Sequence, residues 1–245
     1  MSTQPRPIRP EAEPLRLAVY GDPGVGKTTL AVSFPRPLVI DYDGGLVSVA
    51  GTGVEGLSVV PSNVSELEAV TRWIKAHRSE VDTVVIDGID VLVESILHEL
   101  TNEHRRAGSG SRPLLQGMIP EQVEYLAARN AVRIILAESR SWGTHVVLTS
   151  GVRELEMSPM KHQRAPDVPP SVAKLIARWS SVLGELVAGV EHESLGPGKH
   201  RLLVLEPSAE RQAKTRYRSL APYVVDPTGD KILSAIETQK GGESK

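Results

Sequence analysis

The sequence contains no cysteine, and this absence excludes several kinds of chemistry. Disulfide bonds, thiolate catalysis and zinc sites built on cysteine are ruled out for the 245 residues. No apolar run approaches the roughly 20 residues that are needed to span a bilayer. The first residues, MSTQPRPIRPEAEP, also lack the apolar segment of a secretory signal. We therefore expect a cytoplasmic protein without a membrane partner.

An excess of charge of one sign is missing too. The 28 lysines and arginines nearly balance the 30 aspartates and glutamates, and the formal net charge is −2. The whole molecule is therefore not a polycation, so any contact with nucleic acid must come from a local basic patch. Hydrophobic residues make up 40% of the chain, which is enough for one sizeable core.

The two ends of the chain differ in composition from the part between them. Residues 1–14 contain four prolines and no periodic pattern, so we expect a disordered N-terminal arm. Residues 238–245 resemble a flexible tail. The sequence thus predicts a single domain over residues 15–237.

Short apolar strands alternate with amphipathic helices within this domain. Strands are predicted at 15–20, 37–43, 56–60, 82–87, 144–150, 180–189 and 199–207, and helices at 27–34, 62–78, 89–104, 120–142 and 230–238. Continuous Val/Ile/Leu strands of this kind are typical of a parallel sheet with helices on both faces. The last strands follow each other closely, which favours an antiparallel edge at the C-terminal end. The predicted fold class is α/β.

A glycine-rich loop lies between the first predicted strand and the first predicted helix. Gly21, Gly26, Lys27 and Thr28 fit the P-loop pattern G-x-x-x-x-G-K-[ST]. Glycine lets the backbone approach phosphate oxygens, and successive N–H groups form an anion-binding nest. The lysine adds a charge for the β- and γ-phosphates, and the threonine offers a hydroxyl to Mg²⁺. The predicted ATP-binding residues are Gly21, Asp22, Pro23, Gly24, Val25, Gly26, Lys27, Thr28 and Thr29.

A magnesium site also needs a carboxylate on a neighbouring strand. Asp87 ends the apolar run TVVID, as in the Walker B arrangement, and ligands of open α/β sheets bind at this end of the strands. Asp87 could instead cap the next helix, but the P-loop favours a role with Thr28 as a metal ligand. We expect Asp90, three residues further on, to be an exposed helix residue.

Several segments, in their order along the chain, resemble one family of P-loop proteins. They are YGDPGVGKTTL, PLVIDYDGGL, DTVVIDGID, THVVLTSGVREL and ERQAKTRYRSL. Together they are similar to RecA-like core ATPases, and especially to phage-encoded nucleotide-binding proteins that reduce a recombinase to its ATPase core. The resemblance covers roughly residues 15–222 and implies a RecA-like P-loop NTPase. For a chain encoded by a phage, the expected cytoplasm is that of the host cell.

The resemblance also implies roles for residues outside the P-loop. An acidic residue after the second strand polarises the attacking water, and Asp43 stands there where the family usually has glutamate. Asp41 is the neighbouring alternative, and Asp43 could instead form a turn with the glycines that follow it. After the strand 144–150 the family carries a polar sensor of the γ-phosphate, but Gly151 occupies that position.

Two basic residues near the C-terminus resemble an element that acts between subunits. Lys214 and Arg216 match the lysine-x-arginine pair that reaches a neighbour's ATP site in RecA-like filaments, and alternating side chains would place both on one strand face. They could also form a solvated strand edge. The resemblance implies a homo-oligomer, a ring or a filament, with ATP at the subunit interfaces.

Two polar segments are candidates for binding single-stranded DNA. RecA-like recombinases hold DNA on two loops, and the corresponding segments here are 104–113 and 153–170. Their basic residues could pair with phosphates, although neither segment has an aromatic residue for base stacking. Both could also be solvated surface loops. The candidate DNA-binding residues are Arg105, Arg106, Arg112, Lys161 and Arg164.

The sequence therefore predicts a Mg²⁺-dependent ATPase that acts on single-stranded DNA in phage-type homologous recombination. In this hypothesis Lys27, Asp43, Asp87, Lys214 and Arg216 are the catalytic residues. An ATP-dependent switch or scaffold with negligible turnover is an alternative, which the aspartate at 43 and the glycine at 151 favour. A P-loop small-molecule kinase is a second alternative.

Overall fold

The strands and helices of a computed structural model follow the predicted alternation. The structure describes residues 13–107, 119–158, 161–191 and 193–241. The strands are β1 (Arg16–Tyr20), β2 (Pro37–Asp41), β3 (Leu57–Val59), β4 (Thr83–Asp87), β5 (His145–Ser150), β6 (Val152–Ser158), β7 (Lys161–Pro166), β8 (Val182–Val190), β9 (His200–Val204), β10 (Lys214–Thr215) and β11 (Tyr223–Val225). The helices are α1 (Lys27–Val32), α2 (Val64–Ala76), α3 (Ile89–Ala107), α4 (Gln122–Ser139), α5 (Pro170–Trp179) and α6 (Gly229–Gly241).

Nine of the strands in the described part of the chain form one sheet. Eight follow the order β11-β9-β8-β1-β5-β4-β2-β3, and β10 pairs with β8 beside this path. The strands from β8 to β3 are parallel to one another, whereas β9, β10 and β11 pair antiparallel. The prediction of a mostly parallel sheet with an antiparallel C-terminal edge is therefore confirmed.

Two hydrophobic clusters lie on the two faces of this sheet. Along β1, Ala18 and Tyr20 belong to one cluster while Leu17 and Val19 belong to the other, as the alternation of side chains along a strand requires. Helices α2 to α5 contribute to the first cluster, and α1 and α6 contribute to the second. Burial on both faces explains why the central strands are apolar throughout.

The segment 153–170, which we predicted as a long loop, has regular structure instead. Strands β6 and β7 form a separate antiparallel hairpin, and α5 starts at Pro170. The hairpin pairs outside the main sheet, and most of its side chains from 154 to 162 are exposed where the structure describes them. Its sequence is therefore polar and lacks the apolar run by which the buried strands were recognised.

The ends of several elements differ from the prediction. Helix α3 continues to Ala107, so Arg105 and Arg106 lie in its last turn rather than in a loop. Arg112 lies outside the described residues, as do residues 1–12 of the predicted arm and 242–245 of the predicted tail. Helix α6 extends to Gly241 and so includes the first residues of that tail. No helix in the described ranges is long and apolar enough to cross a bilayer.

Candidate nucleotide-binding site

The P-loop connects β1 to α1 at the carboxyl end of the central strands. Gly24 and Gly26 have φ angles of 79° and 93°, in the left-handed region that favours glycine. A Cβ on Gly21 would lie 2.4 Å from the carbonyl oxygen of Leu186 in β8. Two of these glycines are thus required by backbone conformation and one by close packing, which explains the spacing recognised in the sequence.

The side chain of Lys27 folds back over this loop. Its Nζ donates hydrogen bonds to the carbonyl oxygens of Gly21 at 2.9 Å and of Asp22 at 3.0 Å. The ammonium is therefore held at the mouth of the loop by two neutral acceptors. An anion bound within the loop would find a positive charge already in place.

Thr28 and Asp87, the two predicted metal ligands, are in direct contact. Thr28 Oγ1 donates to Asp87 Oδ2 at 2.9 Å, and Thr149 Oγ1 donates to Asp87 Oδ1 at 2.5 Å. Thr149 lies on β5, next to β4, and accepts a hydrogen bond from the amide of Gly88 at 2.9 Å. Each carboxylate oxygen of Asp87 is thus oriented by a hydroxyl group.

Burial raises the pKa of Asp87 above its ordinary value. The hydrogen bonds from Thr149 and Thr28 lower it, whereas the charges of Asp41 and Asp43 raise it further. Removal from water disfavours the charged form of a carboxyl group unless a positive charge compensates. A divalent cation beside Asp87 would supply that charge.

Glycine at position 45 keeps a side chain away from this pair of oxygen atoms. A Cβ on Gly45 would lie 2.5 Å from both Asp87 Oδ2 and Thr28 Oγ1, so any larger residue would fill the space beside this pair. Carboxylate and hydroxyl oxygens are hard ligands that suit Mg²⁺. Among the described residues no group of three His, Cys, Asp or Glu side chains could hold a metal alone. The pair therefore suits an ion that takes its other ligands from phosphate and water, as Mg²⁺ usually does.

The two aspartates considered for orienting water have different surroundings. Asp41 is buried, and its Oδ1 accepts a hydrogen bond from the amide of Gly45 at 3.2 Å. Asp43 is exposed and packs close to Gly88, because a Cβ on that glycine would lie 2.9 Å from the Cβ of Asp43. Asp41 thus orders the turn after β2, and the carboxylate of Asp43 remains accessible to water.

Asp90 is not the exposed helix residue that we predicted. It is half-buried at the start of α3, and its Oδ2 accepts a hydrogen bond from the amide of Gly151 at 2.8 Å. Burial raises the pKa of Asp90, and backbone hydrogen bonds lower it. A Cβ on Gly151 would lie 3.0 Å from this oxygen, so glycine allows the contact. The resemblance predicts a sensor side chain at position 151, but here it is the backbone amide of this residue that makes the contact with Asp90.

The comparison with known families agrees with this geometry. A family model described as an AAA domain matches residues 13–217. The chain belongs to the AAA domain family. Among curated proteins, none matches the chain. Family and site together assign to this AAA domain the nucleotide binding and ATPase-type activity of P-loop proteins.

An ion-pair network joins the P-loop of the AAA domain to the hairpin. Arg164 Nη2 lies 2.7 Å from Asp22 Oδ2, and Arg164 Nε lies 2.6 Å from Glu185 Oε1. Glu185 is fully buried, and its Oε2 lies 2.5 Å from Nε of Arg211. The guanidinium that we predicted as a DNA contact is therefore occupied by acidic residues of the same chain. The contact of Arg164 with the P-loop could not be inferred from the polar segment in which this residue lies.

Tyr20, the last residue of β1, contacts the same region. Its ring lies in the hydrophobic core, and its hydroxyl lies 3.1 Å from the carbonyl oxygen of Arg164 and 2.8 Å from that of Gln212. Burial raises the pKa of Tyr20, and the nearby carboxylate of Glu185 raises it further. The hydroxyl therefore stays protonated and acts as a donor at neutral pH.

The side chains of Lys214 and Arg216 both reach the end of α5 in their own chain. Lys214 Nζ donates to the carbonyl oxygens of Ala177 at 2.5 Å and Ser180 at 2.8 Å, and Arg216 Nη2 donates to the carbonyl oxygen of Arg178 at 3.3 Å. Burial lowers the pKa of Lys214. Carbonyl groups at a helix C-terminus lack partners within the helix and attract cations. The pair thus caps α5 in this conformation, and its role between subunits stays a prediction.

The other candidate DNA-binding residues that the structure describes lie on two different elements. Lys161 is exposed at the turn of the hairpin, opposite Ser158. Arg105 lies 16 residues beyond the start of α3, about 24 Å along the helix axis at 1.5 Å per residue. The basic end of α3 is therefore remote from Asp87, whereas the hairpin contacts the P-loop through Arg164.

Sequence reasoning missed the partners that orient the site. Glu185 interrupts the apolar run VLGELV of β8, and a single acid in a buried strand signals a buried cation partner. Thr149 likewise ends the apolar run of β5 next to Walker B. Nothing in the sequence identifies which arginines reach Glu185, because they follow it or precede it by more than 20 residues.

Proposed function

We propose that this AAA domain binds and hydrolyses ATP with Mg²⁺ and acts on single-stranded DNA in phage-type recombination. The contact between Thr28 and Asp87 beside a complete P-loop carries the proposal. These two side chains would hold the Mg²⁺ ion, and the loop amides with Lys27 would hold the phosphates. Magnesium, when bound, neutralises charge that develops on the phosphates during phosphoryl transfer.

The exposed carboxylate of Asp43 is the favoured group for orienting the attacking water. Asp41 is the weaker candidate because the amide of Gly45 occupies one of its oxygens. A carboxylate in contact with solvent can accept a proton from a water molecule and hold its oxygen toward a phosphate. Aspartate is one methylene shorter than the glutamate of the related ATPases, so we expect slow turnover.

The hairpin is the favoured site for single-stranded DNA. Its exposed Lys161 offers a charge for the DNA backbone, and its Arg164 contacts Asp22 in the P-loop. If DNA binding moves β7, the movement would therefore change the position of the loop that would hold the phosphates. Arg105, Arg106 and Arg112 remain candidates for a second contact, contributed by the end of α3 and the segment after it.

Lys214 and Arg216 would complete the ATP site of a neighbouring subunit in a homo-oligomer. They would have to leave the C-terminus of α5 to do so, which costs the hydrogen bonds to that helix. Binding to a neighbour's γ-phosphate would replace neutral carbonyl acceptors with charged ones. Hydrolysis would then depend on assembly.

A nucleotide-dependent switch with negligible turnover is the second candidate. The specific observation in its favour concerns Gly151. This residue has no side chain that could sense the γ-phosphate, and its amide donates to Asp90. Such a protein would bind ATP tightly and change its affinity for a partner without rapid hydrolysis.

ATP binding and hydrolysis by the full chain, with and without single-stranded DNA at low salt, test the proposal. We expect ATP binding that requires Mg²⁺ and hydrolysis that DNA stimulates. Lys27→Ala should weaken ATP binding by about 10- to 100-fold, since it removes a charged contact to phosphate. Lys174→Ala removes an exposed lysine of α5 and is the matched control. Absence of ATP binding would refute the proposal, and binding without turnover in the presence of DNA would select the switch.

A further inference from the structure

The strand β9 begins at the end of the sheet that carries the P-loop. Strand β8 runs parallel to β1, and β9 returns antiparallel to β8. The first residues of β9, His200 and Arg201, therefore lie at the carboxyl end of β8 and β1. Leu186 of β8 already contacts the P-loop at Gly21, so β9 starts one strand away from the phosphate-binding loop.

The side chain of Arg201 crosses this distance and contacts the P-loop. A Cβ on Gly26 would lie 2.6 Å from Arg201 Nη1 and 3.7 Å from Arg201 Cζ. The guanidinium thus lies directly against the backbone of the glycine that precedes Lys27. A side chain at position 26 would displace it, so the contact depends on the glycine of the P-loop motif.

The backbone of Arg201 is held in place by Asp226. The amide of Arg201 donates to Asp226 Oδ1 at 2.9 Å, and the amide of Asp226 donates to the carbonyl oxygen of Arg201 at 2.7 Å. Asp226 Oδ2 also lies 2.8 Å from Nδ1 of His200. Asp226 has a φ of 43°, a left-handed conformation that is costly for a residue with a Cβ. The start of β9 is therefore fixed by three hydrogen bonds with Asp226, although it lies near the edge of the sheet.

The guanidinium of Arg201 has no acceptor among the described residues. Arg164 and Arg211, in contrast, both bond to Glu185. Arg201 is half-buried, and its charged group lies against the P-loop, whose backbone N–H groups would also contact an anion bound there. The planar fork of an arginine matches the geometry of phosphate oxygens. Its unused donors beside the P-loop therefore suit a polyphosphate.

We propose that Arg201 binds the phosphates of the nucleotide held by its own chain. The inference rests on the proposed function, because it assigns a further residue to the same ATP site. It differs from the roles of Lys214 and Arg216, which would act on a neighbouring subunit. Arg201 would act within one chain and would not need an oligomer.

Calorimetric titration of the full chain with ATP, ADP, AMP and adenosine, each with Mg²⁺, tests the inference. Arg201→Ala should weaken ATP binding by about 10- to 100-fold, the value of a charged hydrogen bond to phosphate. Arg201→Lys should recover part of this loss because it keeps the charge without the fork. Adenosine binding should not change. The ligand at which the loss first appears in the series identifies the phosphate that Arg201 contacts.

Two controls separate a phosphate contact from an effect on folding. Arg201→Gln keeps most of the side-chain stem and should show the same selective loss of phosphate-bearing ligands, with a melting temperature near that of the wild type. Arg72→Ala removes an exposed arginine on α2 and should bind every ligand normally.

The outcomes distinguish this inference from the proposed function. If the wild type does not bind ATP, the proposed function fails, and the inference fails with it. If the wild type binds ATP and the Arg201 variants bind it equally well, the inference alone is overturned. An equal loss of ATP and adenosine would also overturn it, because such a loss cannot come from a phosphate contact.

Discussion

Arg164 of the hairpin and Asp22 of the P-loop form an ion pair with 2.7 Å between Nη2 and Oδ2. The two residues are 142 positions apart in the sequence. The same guanidinium bonds to Glu185, whose carboxylate has no solvent exposure. The conformation of the P-loop is thus tied to the hairpin through one side chain. A ligand that moves the hairpin changes the surroundings of the loop at which phosphates would bind.

The buried carboxylate of Glu185 supports this network, and its removal should destabilise the fold. In Glu185→Gln, Arg164 and Arg211 lose the charge between them, and breaking a buried ion pair costs about 3–5 kcal/mol of unfolding free energy. Urea unfolding measures the loss. Glu154→Gln, which removes an exposed carboxylate 3.8 Å from Arg164, should cost less than about 1 kcal/mol. Equal costs for the two variants would contradict a buried network.

Lys161 at the hairpin turn should contribute to DNA affinity by charge alone. We expect Lys161→Glu to weaken binding of single-stranded DNA regardless of base sequence. Removing one phosphate contact should also make the slope of log K against log salt less steep by about 0.7. Fluorescence anisotropy with labelled oligonucleotides at several salt concentrations measures both effects. Lys174→Glu on α5 makes the same charge change elsewhere, and an equal effect from it would argue against a DNA site on the hairpin.

A methyl group at position 45 should block the proposed magnesium site. The Cβ of Gly45→Ala would lie 2.5 Å from Thr28 Oγ1 and Asp87 Oδ2, so these two groups would have to separate. We expect the part of the ATP affinity that depends on Mg²⁺ to fall by about tenfold or more, on the order of one charged contact. Titrations with Mg²⁺ and with a chelator separate this part. Val47→Ala, at an exposed position in the same turn, should retain it.

Replacing Asp87 and replacing Asp82 should change the melting temperature at pH 7 in opposite directions, and both changes should depend on pH. Burial raises the pKa of Asp87 above its ordinary value of 3.8, so its charged form destabilises the nucleotide-free fold at neutral pH. Asp87→Asn should therefore melt at a higher temperature than the wild type at pH 7. This advantage should disappear as the pH falls through the raised pKa toward 3.8.

Asp82 provides the comparison of opposite sign. Its hydrogen bonds from Arg36 hold its pKa below the ordinary value. Asp82→Asn should melt at a lower temperature at pH 7, and the difference should vanish as the pH falls through the depressed pKa. Thermal unfolding of both variants between pH 7 and acidic pH measures these changes. Two shifts of the same sign would contradict the surroundings described for Asp87.

Mixing two inactive variants can show whether Lys214 and Arg216 act between subunits. Lys27→Ala would lack the phosphate contact, and the double variant K214A/R216A would lack the pair that reaches a neighbour. If ATP sites form at subunit interfaces, a mixture contains some interfaces with both sets of residues intact. We expect ATPase activity in the mixture above that of either variant alone. Activity no higher than the average of the two would place both residues in structural roles within their own chain.

The parts of the fold that the sequence predicts are those in which neighbouring residues share one environment. Strand β4 is buried throughout, so its apolar run and the aspartate at its end could be recognised locally. The P-loop is likewise a continuous segment, and Gly24 and Gly26 are required there by the local backbone conformation. Asp90 was misjudged because its partner, Gly151, is 61 residues away. Arg201 was overlooked and Arg164 was assigned to DNA for the same reason, since the neighbours of both residues are set by strand order rather than by local pattern.

The hydroxyl of Tyr20 has a consequence for how the molecule could move. It has one proton and two carbonyl oxygens within reach, one from β7 and one from the segment that leads into β10. A single proton serves two acceptors in turn, so withdrawal of one segment strengthens the bond to the other. The segment proposed to meet DNA and the segment proposed to meet a neighbouring subunit therefore compete for the same donor, immediately before the first residue of the P-loop.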